Sequence, residues 1–133
     1  MKKKNLLVLF LVLLITTLSA CSSTNNSSAS DYSKITAAEA KEMIDKDSSI
    51  TILDVRSEEE FNTGHIEGAI LIPDTDILAK AEEILTDKSA TILVYCRSGR
   101  RSALASADLV ELGYSNVYDF GGIIDWNYDI VTE

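Results

Sequence analysis

The sequence predicts an α/β domain in which a mostly parallel sheet is covered by helices. Two observations predict this class: β-branched apolar runs alternate with helical patterns, and capping residues precede the helical segments. Residues 34–133 then form one domain of ordinary size, without an internal repeat. The predicted strands are SITILDV, GAILIP, ATILVYC and NVYDF, at residues 49–55, 68–73, 90–96 and 116–120.

Local signals place one helix before the first of these strands and the others between them. Thr36 followed by Glu39 is a capping box that begins a helix over AAEAKEMID. Ser57 followed by Glu60 is a second box, after the first strand. A later helix covers SALASADLVEL from near residue 102, and Gly113 is expected to end it in a left-handed conformation.

The first 20 residues have the features of an export signal. Three lysines precede an apolar run and small residues, and the run is shorter than the ~20 residues that a membrane span needs. The stretch LSAC resembles a bacterial lipobox, which predicts that Cys21 is lipidated and anchors the chain to the extracytoplasmic face of a bacterial membrane. The alternative is an ordinary cleaved signal with Cys21 as a chance neighbour. The polar residues 21–33 are predicted to be a flexible tether.

The charge of the chain argues against one class of partner. The formal net charge is −9, and removing the signal with its three lysines makes the remainder more acidic. Nucleic acid is therefore not an expected partner, because its phosphates would be repelled. An anionic membrane surface would repel the body of the domain in the same way, so membrane contact is expected through the N-terminal lipid.

The stretch CRSGRR follows the third predicted strand and surrounds one thiol with cations. Arg97, Arg100 and Arg101 lie within five residues of Cys96, and Gly99 allows the chain to curl so that amides converge on one point. The N-terminus of the next helix adds a positive dipole end. Free cysteine titrates near ~8.5, so these groups predict a thiolate beside a site for an oxyanionic substrate.

Three segments make the chain similar to the single-domain rhodanese family: LDVRSEEEFNTGHIEGAILIP, VYCRSGRRSA and FGGIIDW. The resemblance implies a three-layer α/β/α sandwich and sulfur transfer through a persulfide on Cys96, with no cofactor. It implies a small anionic sulfur donor, and a thiol or cyanide acceptor that includes protein thiols. The substrate-binding residues that it implies are the loop amides and side chains, with Arg56 approaching from the neighbouring strand end: Arg97, Ser98, Gly99, Arg100, Arg101 and Arg56.

Other conspicuous residues are predicted to be structural. His65, the only histidine, is expected to tie a loop to backbone groups, since an existing thiolate needs no general base. Asp54 is expected to cap or pair locally, and Trp126 and Tyr128 to cover the sheet. No His, Cys or Asp cluster has metal-ligand spacing, so no metal is expected.

Three function classes follow from the sequence. A sulfurtransferase is favoured, and a sulfur carrier or reactive-sulfur-binding module for one dedicated partner would have the same sequence features. A cysteine phosphatase or arsenate reductase also uses an arginine-bearing loop after a strand. Cysteine phosphatases require Cys-x5-Arg, which places the arginine at position 102, and Ser102 stands there instead.

Overall fold

A five-stranded parallel sheet forms the centre of the domain. The structure, a computed structural model, describes residues 31–132; the predicted signal, Cys21 and the tether up to residue 30 lie outside this range. The strand order is β1-β5-β4-β2-β3, and every pair is parallel. The strands are β1 (Ser33–Lys34), β2 (Thr51–Asp54), β3 (Ile70–Leu71), β4 (Thr91–Cys96) and β5 (Asn116–Gly122).

Four α-helices connect the strands: α1 (Ala37–Lys46), α2 (Glu58–Thr63), α3 (Ile77–Ile84) and α4 (Arg100–Glu111). Both predicted capping boxes are present, at the start of α1 and of α2. Gly113 has the predicted left-handed conformation after α4, with φ of 95°. The start of α4 differs from the prediction by two residues, since the helix begins at Arg100. None of the helices described here is long and apolar enough to cross a membrane.

Side-chain alternation along β4 divides the core into two layers. Ile92, Val94 and Cys96 belong to the apolar cluster that also contains residues of α3 and α4. Leu93 and Tyr95 belong to the cluster on the other face, which contains Ala40 of α1. All five side chains are buried, as expected for a central parallel strand covered on both faces. The predicted three-layer α/β/α sandwich is therefore confirmed.

The first strand was not predicted from the sequence. Ser33 and Lys34 pair with Tyr118 and Asp119 of β5, and this pairing covers one edge of the sheet. Both β1 side chains are exposed and neither is apolar, so the local sequence carries no strand signal. The tether predicted up to Ser33 therefore ends earlier, because Ser33 is part of the sheet.

A buried ion pair joins the end of β2 to the loop after α2. The guanidinium of Arg56 donates to both carboxylate oxygens of Asp54, with Nη2 2.6 Å from Oδ2. Nη2 also donates to the carbonyl of Gly64 at 2.7 Å. The side chains of Asp54 and Arg56 are 0% and 6% exposed. As predicted, Asp54 pairs locally.

Replacing Asp54 by asparagine should destabilise the fold strongly, because the buried Arg56 would lose its counter-charge. Breaking one partner of a buried pair typically costs about 3–5 kcal/mol. Urea denaturation followed by far-UV circular dichroism measures the change in the free energy of unfolding. Glu42→Gln is the matched control, since its pair with Lys46 is exposed and should contribute little. Equal stability of the Asp54 and Glu42 variants would contradict this role.

Candidate active site

Cys96 ends β4 at the edge of the sheet where all the strands have their carboxyl ends. Its side chain lies on the α4 face of the sheet and is 1% exposed. The next three residues form a loop, and Gly99 turns it with φ of 99°, in the left-handed region. Helix α4 begins directly after this glycine. The sulfur therefore lies at the floor of a short loop between a strand and a helix.

Backbone amides point at this sulfur from the loop and from the first turn of α4. The amide of Gly99 donates to Sγ at 3.0 Å. Gly99 is the N-cap of α4 and makes no side-chain capping bond, so the free N–H groups of the first turn need another acceptor. The Cys96 sulfur occupies the position that a capping side-chain oxygen normally takes, at the positive end of the helix dipole.

The hydroxyl of Ser102 is the second polar group at the sulfur. Its Oγ lies 3.6 Å from Sγ, and 3.1 Å and 3.2 Å from the carbonyl oxygens of Gly99 and Gly121. Ser102 is fully buried. Because a hydroxyl rotates to suit its partners, it can accept from the thiol and donate to the thiolate.

These contacts lower the pKa of the Cys96 thiol. Burial raises the pKa of the thiol, but hydrogen bonds from the amide and hydroxyl of Ser102 and from the amides of Gly99 and Ser98 more than offset it. The pKa is therefore lower than that of an ordinary cysteine. Arg101 interacts with the thiolate electrostatically. Within the described part of the chain, the Arg101 side chain makes no hydrogen bond to the Cys96 sulfur.

Two glycines at the end of β5 contact the backbone of the Cys96 loop. A Cβ on Gly122 would lie 2.2 Å from the carbonyl oxygen of Arg97 and 2.6 Å from the Cα of Ser98. Gly121 has φ of 87°, and a Cβ on Gly99 would be 3.4 Å from its Cα. The ladder with β4 also shifts register here, a bulge that is common next to active sites. The segment FGG thus lets the loop backbone lie directly on the sheet.

The three arginines of the loop have different environments. Arg97 and Arg100 are exposed, and the described residues offer them no salt bridge. Arg101 is 28% exposed and forms a bidentate pair with Glu60, with Nη1 to Oε2 2.7 Å and Nη2 to Oε1 2.8 Å. This pair lowers the pKa of Glu60 to about 2 and raises that of Arg101. Glu60 was predicted only as a helix cap, so the sequence reasoning missed its second contact.

The prediction that Arg56 lines this site is wrong. Arg56 is 5% exposed, and its side chain is held by Asp54 and by the Gly64 carbonyl, so it offers no guanidinium to a donor. His65 has the structural role that was predicted. Its Nδ1 lies 3.0 Å from the carbonyl oxygen of Phe61, and its ring stacks on the Phe61 ring.

The two C-terminal aromatic residues differ from each other. Trp126 is 8% exposed and packs on Phe120, as predicted. Tyr128 is 41% exposed, so the prediction that it covers the sheet is wrong. It lies in the segment after the sheet, where its ring makes a T-shaped contact with the Trp126 ring and the ammonium of Lys41 lies over its face. Lys41, Trp126 and Tyr128 line a cavity of about 580 Å³, and no residue of the Cys96 loop lines it.

Comparison with known proteins agrees with this geometry. Residues 36–129 match the model of the rhodanese-like domain, a match that spans strands β2 to β5, the Cys96 loop and the glycines Gly121 and Gly122. The chain belongs to the rhodanese-like domain family. Its sequence-based recognition as rhodanese-like is therefore confirmed. Between residues 31 and 132, no group of three or more His, Cys, Asp and Glu residues could hold a metal ion.

Relatives of this rhodanese-like domain carry sulfur-related names. The chain is 38% identical over 73 residues to the thiosulfate sulfurtransferase PspE of Escherichia coli, covering 55% of this chain and 70% of that protein. It is 34% identical over 100 residues to the putative sulfur carrier protein YrkF of Bacillus subtilis, covering 74% of this chain. The chain spans about half the length of that relative, 53%.

A solved structure described as a rhodanese with anions from E. coli has the same fold. It superimposes on the domain with a TM-score of 0.60 at 34% identity. The match covers 63% of this chain and 99% of the other. The sulfur-transfer family and its fold are thus shown for this chain.

Replacing Ser102 by alanine should shift the ionisation of Cys96 to higher pH, because the thiolate loses a hydroxyl donor. The measurement is the rate of alkylation by iodoacetamide as a function of pH. Ser106→Ala is the control: Ser106 is also buried and lies one turn further along α4, and its Oγ has no hydrogen-bond partner among residues 31–132. A shift of the same size in both variants would contradict a specific role for Ser102.

Proposed function

We propose that this protein is a sulfurtransferase that moves a sulfane sulfur from thiosulfate to a thiol or to cyanide. The observation that carries the proposal is the buried Cys96 sulfur. It accepts a hydrogen bond from the Gly99 amide at 3.0 Å, and the pKa of its thiol is lowered. A thiolate is the nucleophilic form of cysteine. Membership in the rhodanese-like family and the names of the relatives support the same chemistry.

The reaction needs two displacements at sulfur. In the first, the Cys96 thiolate attacks the outer sulfur of thiosulfate, an S–S bond forms, and sulfite leaves with the electron pair of the broken bond. In the second, cyanide or an acceptor thiolate attacks the outer sulfur of the persulfide, and the Cys96 thiolate is released. No proton is required by the leaving sulfite. The backbone amides that face the sulfur stabilise the negative charge on it in both steps.

The shape of the loop favours a small donor. The sulfur is almost fully buried, so a donor must reach it through the mouth of the loop. At the position where a cysteine phosphatase needs arginine, Ser102 turns a hydroxyl towards the sulfur, and the preceding Arg101 is bound to Glu60. These contacts support sulfane sulfur over a phosphate ester. Arg97 and Arg100 are exposed at the loop and supply positive charge for an anionic donor.

Incubation of the purified protein with thiosulfate should add one sulfur atom to Cys96, because the attacking thiolate keeps the transferred sulfur. Intact-mass spectrometry with peptide mapping detects the persulfide, and formation of thiocyanate from cyanide measures turnover. Cys96→Ser should abolish both, since a hydroxyl does not form a persulfide. Equal turnover in the serine variant, or phosphatase turnover above sulfur transfer, would overturn the proposal.

A sulfur carrier is the second candidate, because the putative sulfur carrier protein of B. subtilis is similar over 74% of this chain. A carrier forms the same persulfide but passes it to one dedicated protein. The two functions differ in turnover: a sulfurtransferase releases many thiocyanate molecules per protein, whereas a carrier releases about one. A persulfide that forms without turnover on small acceptors would favour the carrier.

We also propose that Cys21 is lipidated and anchors the protein at the extracytoplasmic face of a bacterial membrane. The signal-like residues 1–20 and the stretch LSAC support this proposal. Stable anchoring needs more than one lipid chain, as lipoprotein maturation supplies.

Replacing Cys21 by alanine should move the protein out of the membrane fraction or stop its processing, because the acyl attachment site is lost. Fractionation and immunoblotting of cells that express the wild type and the Cys21→Ala variant measure this. Cys96→Ser is the matched control and should stay in the membrane fraction. Tight membrane association of a processed alanine variant would contradict lipid anchoring.

A further inference from the structure

The carboxylate of Glu60 connects the loop to a second helix. Its oxygens accept from both terminal nitrogens of Arg101, at 2.7 and 2.8 Å. Oε2 also accepts from the amide and the hydroxyl of Ser57, at 3.1 Å each, which closes the capping box of α2. One side chain thus joins the first turn of α2 to the first turn of α4, directly after the Cys96 loop.

Arg101 depends on such a partner for its orientation. A free arginine side chain has large rotamer entropy, whereas a bidentate carboxylate fixes the plane of the guanidinium. A guanidinium has five N–H donors, and the pair with Glu60 uses two of them. Among residues 31–132 the other three N–H groups have no acceptor, so they can bind, in a fixed plane, an anion that reaches the mouth of the loop.

We propose that Glu60 is a positioning residue that holds the Arg101 guanidinium so that it binds the anionic end of the sulfur donor. The proposal rests on the sulfurtransferase function given above. Loss of the Glu60 charge would have two opposite effects, since Arg101 would gain net charge but lose its orientation. The pair is about 30% exposed on each side, so a bare charge there is screened by water and salt. Directed hydrogen bonds therefore outweigh the added charge.

Glu60→Gln tests this role, because glutamine still closes a capping box but does not form the charged pair. We expect kcat/KM for thiosulfate to fall about tenfold, mainly through a higher KM, the order expected for one charge-assisted hydrogen bond. Glu39→Gln is the matched control. Glu39 closes the equivalent box with Thr36 at the start of α1, and no arginine bonds to it within residues 31–132. This control should keep wild-type values.

A double-mutant cycle shows whether Glu60 acts through Arg101. Arg101→Gln should reduce kcat/KM at least as much as Glu60→Gln. The double variant should be no worse than Arg101→Gln alone, because the positioned group is already absent. If the double variant instead lost kcat/KM by the product of the two single losses, the proposal would be overturned. Glu60 would then act only by stabilising α2.

A second readout needs no sulfur donor. Iodoacetate is an anion and iodoacetamide is neutral. The rate of Cys96 alkylation by iodoacetate divided by the rate with iodoacetamide therefore reports a positioned cation, whatever fraction of the thiol is ionised. The ratio should fall in Glu60→Gln and Arg101→Gln but not in Glu39→Gln. A higher ratio in Glu60→Gln would overturn the proposal, because Glu60 would then repel anions. If the ratio falls as expected but the wild type transfers no sulfur, the positioning role stands and the sulfurtransferase proposal fails.

Discussion

The N-terminus of α4 lacks a capping side chain, and the remaining features of the site depend on this constraint. The N-cap residue Gly99 has no side-chain oxygen to accept a hydrogen bond, so the amides of the first turn are free to face the Cys96 sulfur. A buried thiolate would otherwise be costly, because burial favours the neutral thiol. The helix gains an acceptor, and the thiolate gains the donors that it needs.

These hydrogen bonds between the amides and the sulfur require the loop to lie very close to the sheet. Gly122 carries the loop backbone at a distance that no Cβ would allow, and Gly121 turns the strand beside it. The amide of Ile124 then donates to the carbonyl of Arg97 at 3.3 Å. The end of β5 is therefore as much a part of the site as the cysteine loop, although it contributes no reactive group.

Local patterns in the sequence were enough to predict a mostly parallel sheet covered by helices, both capping boxes and the position of Cys96 after a strand. These features depend on side-chain periodicity and on residues three apart, which the sequence displays directly. The contacts that it did not reveal join distant segments. Glu60 meets Arg101 across 41 positions, and β1 becomes a strand only because β5 offers it an edge. Arg56 was misplaced for a different reason: its partners Asp54 and Gly64 are close in sequence, but the sequence does not show that they bury its guanidinium.

The parallel sheet also fixes where neighbouring segments attach relative to the mouth of the loop. Ser33 pairs with Tyr118, four residues before Gly122, which lies opposite Cys96. At about 3.3 Å per residue, this separation is about 13 Å along the strand. The chain runs towards the mouth from Ser33, so anything joined ahead of residue 31 attaches at the far end of the sheet. A partner or a surface that contacts this far end of the sheet would therefore leave the mouth of the Cys96 loop uncovered.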